Sequence, residues 1–212
     1  IYLRYLKLEK RCGFKELESG LHMLLDAVGA DVGSGPLWVE WVGLLRDAVE
    51  PGSLPQSKAV TDARDAFRLA LKQPAVGLEA LWKEYEAWEG TQSREQAKTM
   101  LAEIADDALV ARRVAKERKA LVDRLSLRRM PRPPRGTPAE LGQLRAWRAL
   151  WEYEASNPQR LDPVQLQTRM QFTFNQALMV CWFTPQVRPP LPLLCCPLLP
   201  PATSSLTLLD AP

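Results

Sequence analysis

The residues of this chain that could carry chemistry are basic side chains concentrated near its middle. From Arg112 to Arg135 there are ten Lys or Arg residues and two acids, a local charge of +8, whereas the whole chain carries +3. Such a segment contacts phosphate groups or an acidic protein, or else forms a solvated helix face followed by a loop. The candidate RNA-binding or partner-binding residues are Arg112, Arg113, Lys116, Arg118, Lys119, Arg128, Arg129, Arg132 and Arg135.

Residue types suited to catalysis or to metal binding are scattered. Glu9, Glu89 and Glu154 each lie alone near a predicted helix end, which favours a structural hydrogen bond between repeats over acid-base catalysis. His22 is the single histidine, so a packing or surface role is favoured over proton transfer. The four cysteines lack metal spacing, and the Gly-rich turn at 33–36 is too short for a phosphate-binding loop. We therefore expect no enzyme, no cofactor and no metal.

The elements that must position these side chains show a repeated pattern of aromatic or bulky residues at offsets of zero, three and seven. On an α-helix these offsets share one face, and each resulting stripe needs a neighbouring helix to cover it. Stripe origins lie 36, 44 and 65 residues apart, so the third interval requires an insertion. Stacked helix pairs, an α-solenoid, are the expected architecture. The structural repeat positions are Tyr2, Tyr5, Glu9, Trp38, Trp41, Trp82, Tyr85, Glu89, Trp147 and Glu154.

Hydrophobic spacing and capping residues predict where the helices begin and end. Capping boxes are expected at Ser93 and at Thr137, and a basic extended loop is expected around 129–138. The stripe aromatics are expected in the core, whereas Trp88 and Trp151 lie off the stripe and are predicted to be exposed. Besides a helix that starts at or before Ile1, the predicted helices are 17–28, 37–49, 58–71, 78–89, 93 to about 127, 137 to about 156, and 162 to about 180.

These residues resemble a known family. The first-helix pattern W-x2-[YW]-x3-E and the second-helix pattern F-x2-A-L are similar to the half-a-TPR (HAT) repeat. Three segments resemble the amino-terminal HAT domain of the large cleavage stimulation factor subunit, the suppressor of forked family: LWKEYEAWE at 81–89, ARRVAKE at 111–117, and the stretch from Thr137-Pro138 to Ser156-Asn157-Pro158. Leu45 and Leu150 depart from the repeat's Glu and second aromatic.

The resemblance implies an all-α solenoid of antiparallel HAT helix pairs over 1–180, an incomplete array, with a basic helix and Pro-rich loop inserted at 109–137. It also implies a non-catalytic scaffold in nuclear pre-mRNA 3′-end cleavage and polyadenylation. The expected partners are other 3′-end processing subunits and pre-mRNA, with the family's homodimer formed outside this segment. Two alternatives stay open: a HAT scaffold of a splicing or pre-ribosomal machine, and direct RNA binding through 112–135.

The two ends of the chain depart from the repeat pattern. Ile1 falls inside a hydrophobic helix pattern with no initiator Met, so we expect a fragment of a longer protein. The segment 181–212 is rich in Pro and Leu, and we expect either a disordered tail or a product of an altered reading frame. Pro within 189–209 argues against a membrane-spanning helix, so no membrane partner is expected.

Overall fold

The computed structural model describes residues 17–50, 52, 54, 56–127 and 133–181. Within these ranges the regular structure is helical, and the ends of the helices lie within three residues of the predicted ones, except that the helix predicted to reach about 127 ends at Val122. A short 3-10 helix, Val32–Ser34, precedes the second α-helix. The α-helices are α1 Leu17–Val28, α2 Gly35–Asp47, α3 Lys58–Lys72, α4 Leu78–Gln92, α5 Arg94–Val122, α6 Pro138–Ala155 and α7 Pro163–Cys181.

Side-chain caps fix several helix starts. Thr137 and Glu140 form the predicted capping box, in which each side chain accepts a hydrogen bond from the other residue's backbone N–H. Ser93 accepts from the Gln96 backbone N–H at 3.4 Å, which is one half of the box predicted there. Asp162 accepts from the Gln165 backbone N–H at 2.8 Å and opens α7.

Consecutive helices pack as pairs, α2 with α3, α4 with α5, and α6 with α7, each joined by a short connection. The pairs also contact one another, because α3 lies against both α4 and α5, and α5 lies against α6. Each first helix of a pair carries one predicted aromatic stripe. The expected all-α array of helix pairs is therefore what the chain forms.

The large apolar core lies between α1 and the middle of α5. Its centre is an aromatic group in which the ring of Phe67 lies 5.1 Å from Tyr85 and 5.4 Å from Trp88. The prediction that Trp88 is exposed is wrong, because Trp88 is 9% exposed and its ring packs against Phe67 of α3. Trp82, a stripe residue, is only half-buried at the edge of this core.

The small apolar core lies between α6, α7 and the end of α5. Trp147, Leu150 and Ala177 are fully buried there. Trp151 is half-buried, with its ring 6.3 Å from Trp147 and 6.4 Å from Phe174, so the prediction that it is exposed is also wrong. Trp151 reaches Phe174 on the second helix of its own pair, and Trp88 reaches Phe67 of the preceding pair. Periodicity on one helix shows neither contact.

The turn at 29–36 packs against the α3–α4 turn through backbone atoms. The Val76 N–H donates to the Val32 carbonyl at 2.8 Å. A Cβ placed on Gly35 would lie 1.8 Å from the Val76 carbonyl oxygen, so only glycine permits this approach. The buried Ser34 hydroxyl donates to the Gly29 carbonyl at 2.8 Å. The glycines of 33–36 therefore serve packing between turns.

Helix α5 runs unbroken through the start of the predicted insertion. Its 29 residues join a first half that packs on α3 and α4 to a second half that packs on α6. The helical part of the insertion is thus an extension of α5.

The repeat positions Tyr2, Tyr5 and Glu9 and the tail 182–212 lie outside the described residues.

Candidate functional site

The second half of α5 presents part of the predicted basic set to solvent. Arg113, Lys116 and Lys119 are exposed on this helix, and Arg135 is exposed in the extended segment that precedes α6. Lys119 forms an ion pair with Asp123, one turn further along α5. The predicted members Arg128, Arg129 and Arg132 lie outside the described residues.

Arg118 departs from the predicted set because its side chain belongs to the interior. It is 1% exposed and forms a two-point ion pair with Glu154 of α6, with Nε–Oε1 at 2.7 Å and Nη2–Oε2 at 2.9 Å. Its Nη2 also donates to the Gln159 side chain at 2.9 Å. A guanidinium held in this way cannot reach a partner, so Arg118 has a structural role.

Arg112 is held by the large apolar core. Its guanidinium lies 5.3 Å from the centroid of the Trp82 ring, within cation–π distance, and its Nε donates to the Ala108 carbonyl at 3.3 Å. The half-buried Trp82 ring is thereby covered by a basic side chain. Consecutive arginines on α5 thus have different surroundings, since Arg113 is exposed.

Three exposed arginines near the junction of α5 and α6 are missing from the predicted set. Gln143 of α6 binds the end of α5 twice, by accepting from the Ser126 N–H at 2.8 Å and donating to the Arg124 carbonyl at 3.1 Å. Arg124 is exposed just beyond the end of α5, and Arg145 and Arg148 are exposed on α6. Arg124 could have been found by counting charge. Arg145 and Arg148 lie outside the basic segment 112–135, so a count of charge in that segment does not include them.

The acids interleaved with these cations are already engaged. Glu117 accepts from the Tyr153 hydroxyl at 2.8 Å, and burial together with this carboxylate raises the pKa of Tyr153. Glu140 accepts from the backbone N–H groups of Arg135 at 2.9 Å and Thr137 at 3.1 Å, and these bonds lower the pKa of Glu140. Each carboxylate is therefore bound within the fold, but it keeps its negative charge because its hydrogen-bond donors are neutral.

The glutamates at the third repeat position join neighbouring helix pairs, as predicted. Glu89 of α4 forms an ion pair with Arg64 of α3, with Oε1–Nε at 2.9 Å. Glu154 of α6 binds Arg118 of the preceding pair and also Arg169 of α7, with Oε1–Nη2 at 2.9 Å. The predicted structural hydrogen bond between repeats is confirmed for both; Glu9 lies outside the described residues.

Arg118, Glu154 and Arg169 form a buried ionic cluster. Burial alone would raise the pKa of Glu154, but Arg169 and Arg118 hold it below its ordinary value. Burial, reinforced by Arg118, lowers the pKa of Arg169. Arg169 also donates to the Ala30 carbonyl. The cluster thus ties α5, α6 and α7 to the turn after α1.

Groups suited to catalysis are not assembled in the described part of the chain. His22 is exposed, and its ring packs edge-on against Trp41 at 5.5 Å. Among residues 17–181, apart from the masked gaps, no three His, Cys, Asp or Glu side chains are grouped to hold a metal. None of the helices in these ranges has the length and apolarity needed to cross a bilayer.

Comparison with known proteins gives one consistent result. A family model described as suppressor of forked protein matches residues 1–188. Cleavage stimulation factor subunit 77 of Arabidopsis thaliana is 30% identical over 82% of this chain and 24% of its own length. Protein suppressor of forked of Drosophila melanogaster is 31% identical over 88% of this chain and 25% of its own length. The mRNA 3′-end-processing protein rna14 of Schizosaccharomyces pombe is 26% identical over 88% of this chain and 26% of its own length.

A solved structure agrees on the fold. A crystal structure of CstF-77 matches 84% of this chain with a TM-score of 0.65 at 16% identity, and the match covers 35% of that chain. The resemblance stated from the sequence is confirmed, and so is the helical-repeat fold. The chain spans about a quarter of the length of the curated relatives named above.

Proposed function

Because this chain belongs to the suppressor of forked family, we propose that it is a segment of a non-catalytic scaffold in mRNA 3′-end processing. The relatives are named as a cleavage stimulation factor subunit and as mRNA 3′-end-processing proteins. The proposed partners are therefore other subunits of that machinery, and the proposed location is the nucleus. The homodimer of the full-length protein is assigned to sequence outside this segment.

The observation that carries the proposal is how the helix pairs are joined. Buried ion pairs link successive pairs, Arg64 with Glu89 and Arg118 with Glu154, so neighbouring pairs are held in fixed orientation. A rigid array of this kind presents one extended surface, which is what docking several proteins requires. We further propose that the array comprises 1–180 and that 109–137 is its inserted basic part.

The proposal is tested by replacing the matching segment of a full-length relative with residues 1–180 of this chain. The chimera is added to a nuclear extract depleted of the relative, and cleavage of a transcript carrying a polyadenylation signal is measured. We expect cleavage to return. A chimera lacking the segment sets the baseline, and circular dichroism checks that the inserted helices fold.

Splicing of an intron-containing transcript is measured in the same extract. A folded chimera that leaves cleavage at the baseline contradicts the proposal. If it restores splicing instead, the chain is a scaffold of a different RNA-processing machine. The two readouts therefore separate the proposed function from its main alternative.

A further inference from the structure

We propose that Thr137 is a phosphorylation site for a proline-directed Ser/Thr kinase. Thr137 is followed by Pro138, and it is the one Ser or Thr residue with a following proline among the residues that the structure describes. Thr184 also precedes a proline but lies outside those residues. The inference goes beyond the proposed function, because a scaffold that docks proteins needs no covalent modification.

The segment around Thr137 is accessible to an enzyme. Residues 133–139 are all exposed, and those before α6 have no regular secondary structure. A Cβ placed on Gly136 would meet nothing within 4 Å, so the backbone just before Thr137 has open space beside it. The Thr137 hydroxyl oxygen accepts a long hydrogen bond, 3.3 Å, from the Glu140 N–H. The atom to be modified is therefore exposed and weakly held.

The backbone of Thr137 has the conformation that a kinase requires. Kinases bind the acceptor residue in an extended chain, and Thr137 is extended, with φ −70° and ψ 151°. Pro138 favours this conformation, because its ring disfavours the helical one for the residue before it. Proline also lacks an N–H group, so it suits a kinase whose site for this position offers no hydrogen-bond acceptor. The pair thus supplies both the shape and the recognition element.

A kinase must also open the first turn of α6, and the bonds that hold this turn are local. They are the capping box of Thr137 and Glu140 and the hydrogen bond from the Leu141 N–H to the Thr137 carbonyl at 3.1 Å. The first α6 side chain in the small apolar core is that of Leu144, which follows this turn. Because helix ends held in this way open at low free-energy cost, the turn can enter a kinase in extended form.

The transfer balances with ATP as the phosphoryl donor. The bond between the γ-phosphorus of ATP and the oxygen that leaves with ADP breaks, and a bond forms from that phosphorus to Thr137 Oγ1. The hydroxyl proton passes to the catalytic aspartate of the kinase and then to water. The phosphate carries about two negative charges at pH 7, so the charge of segment 112–137 falls from +8 to about +6. Modification therefore lowers the positive charge of this part of the chain.

The test incubates the full chain with Mg-ATP and a mitogen-activated protein kinase, a class that requires proline after the acceptor. Mass spectrometry of the digested chain locates the phosphate and measures its occupancy. We expect phosphate on Thr137, retained on the new serine of Thr137→Ser and lost from Thr137 in Pro138→Ala. Pro138→Ala is the matched control, because alanine suits the first helical position and the hydroxyl stays in place. Circular dichroism checks that each variant keeps its helix content.

A second pair of variants tests the opening of the turn. Glu140→Ala removes the capping box, whereas Glu140→Gln removes the same charge and keeps a side chain that can form the box. Glu140→Ala should be phosphorylated roughly fivefold faster, the factor by which loss of a capping side chain typically raises the population of the open turn.

Three results overturn the inference. They are no phosphate on Thr137, equal rates at Thr137 in the unmodified chain and in Pro138→Ala, and a rate for Glu140→Ala no higher than that for Glu140→Gln. None of them affects the chimera test, so the two proposals fail separately.

Discussion

The two ends of the described array hold their helices together by different means. The large apolar core buries 22 apolar side chains, whereas the small apolar core buries three and has the buried ionic cluster beside it. Glu89 and Glu154 occupy the same repeat position, yet Glu89 binds one arginine that is 12% exposed. Glu154 binds two, Arg118 and Arg169, which are 1% and 8% exposed. The glutamate at this repeat position therefore contributes little to holding the helices together at the large apolar core and contributes most at the small apolar core.

The difference shows how a repeat array manages an end with little apolar surface to bury. Removing one partner from a buried ion pair leaves an unpaired buried charge, which costs far more than the pair itself contributes. The ionic cluster thus specifies one arrangement of α5, α6 and α7, because other arrangements would leave Arg118 or Arg169 buried without a carboxylate.

The largest expected effect is that of Glu154→Gln. The change leaves two buried guanidinium groups without an anion, so the free energy of unfolding should fall by about 3–5 kcal/mol. Glu89→Gln, the matched change in the large apolar core, should cost about 1–3 kcal/mol, because Arg64 is partly solvated. Urea denaturation followed by circular dichroism measures both. Equal losses would show that the two regions do not differ in this way.

The same variant tests the pH dependence. The pKa of Glu154 is lower in the folded chain than its ordinary value, so its stabilising contribution is present above about pH 4.3 and is lost as the pH falls through the folded pKa. The difference in melting temperature between the unmodified chain and Glu154→Gln should therefore narrow below that pH. A difference that stays constant down to acid unfolding would contradict the ionic origin.

A smaller effect is expected from Gly35→Ala in the large apolar core. The new Cβ would overlap the Val76 carbonyl oxygen, a backbone atom that cannot rotate away, so overpacking should cost about 1–3 kcal/mol. Gly43→Ala is the control, because a Cβ there meets nothing within 4 Å and Ala should stabilise α2 by about 0.5–1 kcal/mol. Thermal melts of the two variants should shift in opposite directions. If both melting temperatures shifted in the same direction, the turn at 29–36 and the α3–α4 turn would lie farther apart than described.

The smallest effect separates Arg112, a basic residue packed within the fold, from its exposed neighbour Arg113. Arg112→Gln removes the cation from the Trp82 ring and should cost about 0.5–1 kcal/mol. Arg113→Gln changes the adjacent exposed residue and should stay within about 0.5 kcal/mol of the unmodified chain. Chemical denaturation measures the free energy of unfolding of both variants, and equal losses would contradict a stabilising cation–π contact at Trp82.

Local features of the sequence were sufficient for the helices. The spacing of Phe67, Ala70 and Leu71 and the capping pair Thr137–Glu140 fix helix faces and starts through interactions within a few residues. The glutamate positions were also predictable, since a lone acid at the end of an apolar stripe needs a partner from a neighbouring repeat. For the same reason the sequence indicated a scaffold and not an active site.

Contacts between helices distant in sequence decided the rest. Arg118 and Arg113 look alike in a count of charge, but α5 turns one toward Glu154 and the other toward solvent. Trp88 and Trp151 are covered by neighbours that helical periodicity on one helix cannot supply. Gln143 of α6 binds the backbone carbonyl of Arg124, 19 residues earlier in the chain, at the end of α5. The sequence by itself determined which residues form helices and where the positive charge is concentrated. The tertiary structure decided which charges are buried and which reach a partner, because burial depends on the packing of residues far apart in the chain.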